Sequence, residues 1–270
     1  MEIIERFSRG KAGQAGLNED CLVVTENFIA VLDGVTAKLC PQIDGRSGGR
    51  FAVEVATDRI GRFEAGVTAR EAVDQLTKAL REAVSQKARL EEGVDGPAFG
   101  AIIYSKSRRE VWRVADLLLM MDGVLYAQEK PIDRITSSAR SFMIAAALRQ
   151  GVSESDILQN DIGRAFIAPM LEKQHFFANR PGLYGYGVID GSFVPDEFIE
   201  VFDASGAREI VFSSDGYPRL FPALKESEDY LAVVLREDPL LFKKHLSMKG
   251  LQPGLVSFDD RTYVRFLTVR

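Results

Sequence analysis

With 270 residues and 46% hydrophobic content, the chain carries enough apolar material for one large core. A formal net charge of -5 leaves no electrostatic footprint for nucleic acid. The two cysteines, Cys21 and Cys40, form neither a metal-ligand spacing nor a disulfide framework, which points to a reducing compartment.

The start, Met1 to Arg6, is charged and lacks the apolar stretch of a signal peptide. Cys21 to Val24 and Phe28 to Leu32 are short β-rich runs around a polar turn, and they read as a hairpin. Gly48 to Phe63 reads as a helix, and Thr68 to about Leu90 as a second one with apolar residues at helical period. Thr68 and Glu71 have the spacing of a capping box at its start. Four strands follow at Ala98–Tyr104, Glu110–Ala115, Leu117–Met121 and Val124–Ala127, expected as one antiparallel meander. Their longest apolar runs fall far short of a bilayer span, so no membrane partner is expected and the protein should be cytoplasmic. Helices are expected from Asp133 to Arg149 and from Ser153 to about Ala178, then strands near Tyr184–Ile189, Phe198–Phe202 and Glu209–Ser213. A mixed helical region runs to about Met248, and a last strand covers Thr262 to Val269. No linker or repeat divides the chain, and strands and helices come in blocks. A single α+β domain, residues 1–270, with mainly antiparallel sheets follows.

Asp-Gly occurs six times, at Asp33, Asp44, Asp95, Asp122, Asp190 and Asp215. Most of these are turn signals, and Asp122-Gly123 between two strands needs no other explanation. Asp33 and Asp215 differ, because each ends a continuous apolar run and no returning strand follows. Each therefore emerges from a buried strand at a sheet edge, where a rigid scaffold can present a charge. Glu19-Asp20 precedes the first hairpin strand and Asp259-Asp260 precedes the last strand. Adjacent carboxylates repel unless a cation neutralises them, and their oxygens suit hard ions such as Mg²⁺ or Mn²⁺.

In this order, Asn18-Glu19-Asp20, Phe28 to Gly34, Ser213 to Gly216 and Asp259 to Thr262 resemble the motifs of the type 2C, metal-dependent protein phosphatases, as a divergent bacterial-type member. The resemblance implies a four-layer α-β-β-α sandwich with two central antiparallel sheets and two Mn²⁺ or Mg²⁺ ions at one end. By position, Asp33 would bridge both ions and the carbonyl of Gly34 would hold one. Asp20, Asp215 and Asp259 would complete the set, Glu19 would act through water, and Asp116 would match a ligand of a more weakly held third ion. The implied activity is hydrolysis of phosphoserine or phosphothreonine in proteins by an ion-activated water, with no protein nucleophile.

The sequence departs from the family pattern at three places. The arginine that family members often place before Asn-Glu-Asp falls at about Ala15, a frequent histidine is Val35, and the Gly-Asp-Ser turn reads Ala115-Asp116-Leu117. Lys38 and Arg46, the nearest basic residues after Asp33, are candidates to grip substrate phosphate instead. The same departures also suit an alternative, a catalytically weak or inactive regulatory module of the same fold.

Overall fold

The structure is a computed structural model that describes residues 1–36, 40–88 and 95–268. Lys38, the expected end of the second helix at 89–90, and Val269 lie outside the described residues.

Two five-stranded antiparallel sheets face each other. The strands are β1 (Glu2–Arg9), β2 (Asp20–Val24), β3 (Phe28–Gly34), β4 (Phe99–Ser105), β5 (Glu110–Val114), β6 (Leu118–Met121), β7 (Val124–Tyr126), β8 (Glu200–Asp203), β9 (Glu209–Ser213) and β10 (Arg261–Leu267). One sheet has the order β1-β10-β9-β6-β7 and the other β2-β3-β4-β5-β8. Because side chains alternate along a strand, β3 sends Ile29 and Val31 toward the other sheet, where they meet Phe212, Val264 and Phe266. The alternate residues Phe28, Ala30 and Leu32 pack instead with α1 (Gly48–Ile60) and α2 (Ala69–Lys87). Both faces of β3 are therefore buried, which is why its sequence is a continuous apolar run.

The fourth layer rests on the outer face of the first sheet. There Val211 and Tyr263 pack against Leu231 and Val234 of α6 (Leu224–Glu237). The observed architecture is thus the α-β-β-α sandwich, with α3 (Pro131–Arg149), α4 (Glu154–Gln159) and α5 (Ile162–Lys173) as a side cluster. In that cluster Ile144, Ala147 and Ile157 pack on Leu240 and Phe242.

Local signals hold where the chain closes its own hydrogen bonds. Thr68 and Glu71 form both halves of a capping box at the start of α2. Asp122 and Gly123, with φ of 46° and 83°, make the tight turn between β6 and β7.

Four expectations need correction. The meander from Ala98 to Ala127 is split: β4 and β5 pair in one sheet, and β6 joins β9 in the other. The crossing is made at Ala115, whose φ of 76° turns the chain so that Leu117 can enter the core between the sheets. The helix expected from Ser153 to Ala178 is broken at Asn160, because Asp161 caps a new helix by accepting from the Arg164 amide at 2.8 Å. Tyr184–Ile189 is no strand and makes only single bridges, such as Ile189 with Phe99. Conversely Glu2–Arg9, read only as a charged start, is β1, an edge strand with alternating exposure along β10.

Candidate functional site

Asp20 and Asp33 stand directly opposite each other where β2 and β3 begin and end. The chain passes Asp33 into Gly34, which has no room for a side chain: a Cβ there would lie 2.6 Å from the Glu19 carbonyl and 2.8 Å from the Gly49 backbone. This close approach seats the N-terminus of α1 against the end of β3. From the other sheet, Ser214 follows β9 and donates to the Asp20 carboxylate at 2.6 Å. Its hydroxyl also accepts from the Thr262 amide at 2.9 Å. Asp215 comes next, and Gly216 lies so tightly on the turn before β10 that a Cβ would meet the Asp260 carbonyl at 2.0 Å. Asp20, Asp33, Asp215 and Asp259 are therefore brought to one end of the sandwich from both sheets.

Their electrostatics reflect that convergence. Asp20 and Asp33 are both raised well above the ordinary carboxylate range. Burial is the first cause for each; around Asp20 the Ser214 hydroxyl partly opposes it while Asp260, Asp259 and Asp215 add to it, and around Asp33 the additions come from Asp215, Asp20 and Asp259. Asp215 is pushed up to about 7 by withdrawal from bulk water and then by Asp259 and Asp116. Its side chain nevertheless keeps an open face to solvent. Asp259 goes the other way. Burial alone would raise it, but Lys249 and Lys11 more than offset that and hold it below the usual range.

Those lysines are features that the sequence order hides. Lys249 Nζ lies 2.6 Å from one oxygen of Asp259, and Lys11 Nζ lies 3.5 Å from the other. Lys11 also reaches Glu19 and Asp260 at 3.5 Å each. Asp116 sits apart from the four aspartates' hydrogen bonds and pairs with Lys130 at 3.0 Å. The Lys130 ammonium in turn lies over the Tyr186 ring, 5.5 Å from its centre.

The remaining acidic pair members have structural partners. Glu19 accepts from Thr36 and Ser47 hydroxyls, both at 2.5 Å. Asp260 accepts from the backbone amides of Lys11 and Glu19 at 2.7 and 2.9 Å, tying the N-terminal loop to the start of β10. Arg46 is engaged by Glu54 and Asp44, with its guanidinium over the Phe51 ring at 5.8 Å. Among the described residues, no three acidic, histidine or cysteine side chains are drawn together tightly enough to clasp an ion as they stand.

The donor set at Asp20, Asp33 and Asp215 nonetheless fits a hard divalent cation. All three are oxygen donors raised by burial and neighbouring carboxylates, with Lys249 and Lys130 offsetting only part of the rise at Asp215.

No protein-family model matches the sequence, and no curated protein matches it. Solved structures do match. The serine/threonine phosphatase Stp1 from Staphylococcus aureus superposes with a TM-score of 0.50 and 13% identity, over 98% of this chain and 94% of that one. A bacterial serine phosphatase matches with a TM-score of 0.50 and 12% identity, over 98% and 97% of the two chains. The catalytic domain of the serine/threonine phosphatase PstP, in complex with 2 manganese ions, gives a TM-score of 0.47 and 13% identity, over 98% and 97%. The fold is that of the type 2C phosphatases. At these identities the likeness shows the fold, and the site has to be argued from its own residues. Among the described residues no helix is long and apolar enough to cross a membrane.

Proposed function

We propose that the chain is a metal-dependent phosphomonoester hydrolase acting on phosphoserine or phosphothreonine in proteins or peptides. The observation that carries the reading is the meeting of Asp20, Asp33 and Asp215, from three separate strand ends, in a cluster where burial and then neighbouring carboxylates raise each carboxyl.

Asp33 is the central donor in this reading, with Asp20 and Asp215 beside it and the Gly34 carbonyl completing one side. Asp259 is the fourth carboxylate, and Glu19 reaches the cluster through water. Two Mn²⁺ or Mg²⁺ ions bound here would supply an activated water and neutralise charge on the phosphoryl oxygens. Ser214 orients the Asp20 carboxylate, and Asp260 fixes the loop that carries Glu19. Asp116 would belong to a third, peripheral ion, and Lys38 would be a phosphate contact.

The test is hydrolysis of an aryl phosphate and of a phosphothreonine peptide in Mn²⁺. Chelation, Asp33→Asn and Asp215→Asn should each lower the rate by about a hundredfold or more. Activity that survives both substitutions would remove this assignment.

A second reading is a phosphate-binding module with little turnover. Three observations favour it: Asp259 and Asp116 already hold lysines, and Arg46 is engaged by Glu54. Phosphopeptide binding without hydrolysis in Mn²⁺ would select it.

A further inference from the structure

The four aspartates are not equivalent, and the difference lies in how their negative charge is met. Both oxygens of Asp259 face an ammonium: Lys249 at 2.6 Å and Lys11 at 3.5 Å. Asp20 has a hydroxyl partner, Ser214, and no ion pair is found for Asp20, Asp33 or Asp215 among the described residues.

Neither lysine is a loose surface group. The backbone around Lys249 is clamped from the helical side cluster. Arg140, fully buried, donates to the Leu240 carbonyl at 2.8 Å and to the Ser247 carbonyl at 2.9 Å. It is itself anchored on Asp161, the cap of α5, at 2.6 and 2.9 Å. Arg164, three residues on from Arg140's anchor Asp161, donates to the Met248 carbonyl at 2.8 Å. Lys11 is pinned through both of its backbone groups. Its amide donates to Asp260 at 2.7 Å, and its carbonyl accepts from the Val256 amide at 2.8 Å. Two separate pieces of scaffold thus deliver positive charge to one carboxylate.

We propose that Lys249, assisted by Lys11, is the resident counter-cation of Asp259, so that divalent ions enter at the Asp20–Asp33–Asp215 end first and reach Asp259 only by displacing an ammonium. The inference rests on the metal-binding reading of the cluster. Its physical basis is repulsion. An ion held by Asp259 would meet an oxygen that already faces a fixed positive charge. That repulsion makes ion entry and lysine contact exclude one another.

The test is calorimetric titration with Mn²⁺ alone at neutral pH, on the wild type and on Lys249→Met, Lys11→Met and Lys249→Arg. The wild type should show one tight equivalent, with further uptake weaker by about tenfold or absent. Lys249→Met should strengthen or restore the weaker step by about tenfold, Lys11→Met should do so to a smaller extent, and Lys249→Arg should resemble the wild type. Thermal melts of each variant establish that it is folded, and Lys11→Met reports on the same carboxylate should Lys249→Met not fold. Two equal tight equivalents in the wild type, or uptake that ignores the lysine substitutions, would overturn this inference and leave the metal site standing. No Mn²⁺ uptake by the wild type or by either methionine variant would remove the metal reading itself and this inference with it.

Discussion

The Ser214 hydroxyl donates to the Asp20 carboxylate at 2.6 Å, across the seam between the two sheets. Asp20 belongs to the sheet of β2 and β3, and Ser214 follows β9 of the other. The same hydroxyl accepts from the Thr262 amide, so one side chain joins three of the site's segments. Ser214→Ala leaves a buried carboxylate and a buried amide each short of a partner. An unsatisfied buried group costs about 1–3 kcal/mol, so the substitution should lower unfolding free energy by about 2 kcal/mol in urea denaturation. Ser214→Thr, which keeps the hydroxyl, should recover part of that loss. An alanine variant as stable as the wild type would show that the seam is held elsewhere.

A second prediction concerns pH. Asp20, Asp33 and Asp215 bind protons more tightly when folded than when unfolded, because burial and neighbouring carboxylates raise them. Asp133, held at about 6 by burial, adds to the same side. Between the unfolded carboxylate value of about 4 and the folded value of about 7 for Asp215, the native state holds more protons than the unfolded one. Stability in chelator should therefore rise as pH falls from about 7 to about 5, by about 1–2 kcal/mol once the solvent access of Asp215 is allowed for. Asp259 acts in the opposite sense, but its lowered carboxyl matters only in more acid solution. Mn²⁺ should raise the melting temperature more at pH 7 than at pH 5, because protons and the ion compete for the same oxygens. A chelated protein that is least stable at pH 5 would contradict this account.

A third concerns the crossing between sheets. Ala115 holds a φ of 76°, a left-handed conformation that costs an L residue about 1–2 kcal/mol. Ala115→Gly removes that cost while making the unfolded chain freer by about 0.5–1 kcal/mol. The expected result is a net stabilisation of about 0.5 kcal/mol in chemical denaturation. Gly100 on the neighbouring strand should not tolerate the reverse change, since a Cβ there would sit 2.8 Å from Leu117 and 2.9 Å from the Ala115 methyl. Destabilisation by Ala115→Gly would mean that the methyl's packing outweighs the backbone strain.

The parts of the molecule legible in the sequence are those that chain neighbours specify. β3 and β9 are apolar runs because both faces of each are covered, and their final Asp-Gly steps mark where the runs leave the core. The capping box at Thr68 and the turn at Asp122 close within a few residues. The partition of β4–β7 between two sheets was not legible, because period-2 alternation reports a strand and is silent about its partner. β1 escaped notice for a related reason. It is an edge strand whose charged residues face outward, so its sequence looks like a polar terminus. In the site, the aspartates announce themselves through strand ends. Lys11, Lys130 and Lys249 do not: Lys11 reaches Asp259 from the other end of the chain, and Lys130 and Lys249 reach their carboxylates through irregular segments with no periodicity to mark them. Arg46 stood out by closeness in sequence, and the structure turns it toward Glu54 instead.

The placement of β10 between β1 and β9 has a consequence for the order in which the molecule can assemble. During synthesis the whole sheet of β2, β3, β4, β5 and β8 is available once Asp203 has been made, and with it the facing Asp20 and Asp33. In the other sheet β9, β6 and β7 can pair once Ser213 has been made, and only β1 and β10 have to wait. β1, which emerges ahead of the other nine strands, has its partner at Arg261–Leu267, so its edge stays unpaired until nearly the whole described chain exists. Such distant pairing is slow and leaves strand edges exposed in the meantime. Asp215 can follow β9 onto β6 as soon as Ser213 has been made, whereas Asp259 joins only in that last step, so a ribosome-bound chain carries three of the four carboxylates well before it can carry the fourth.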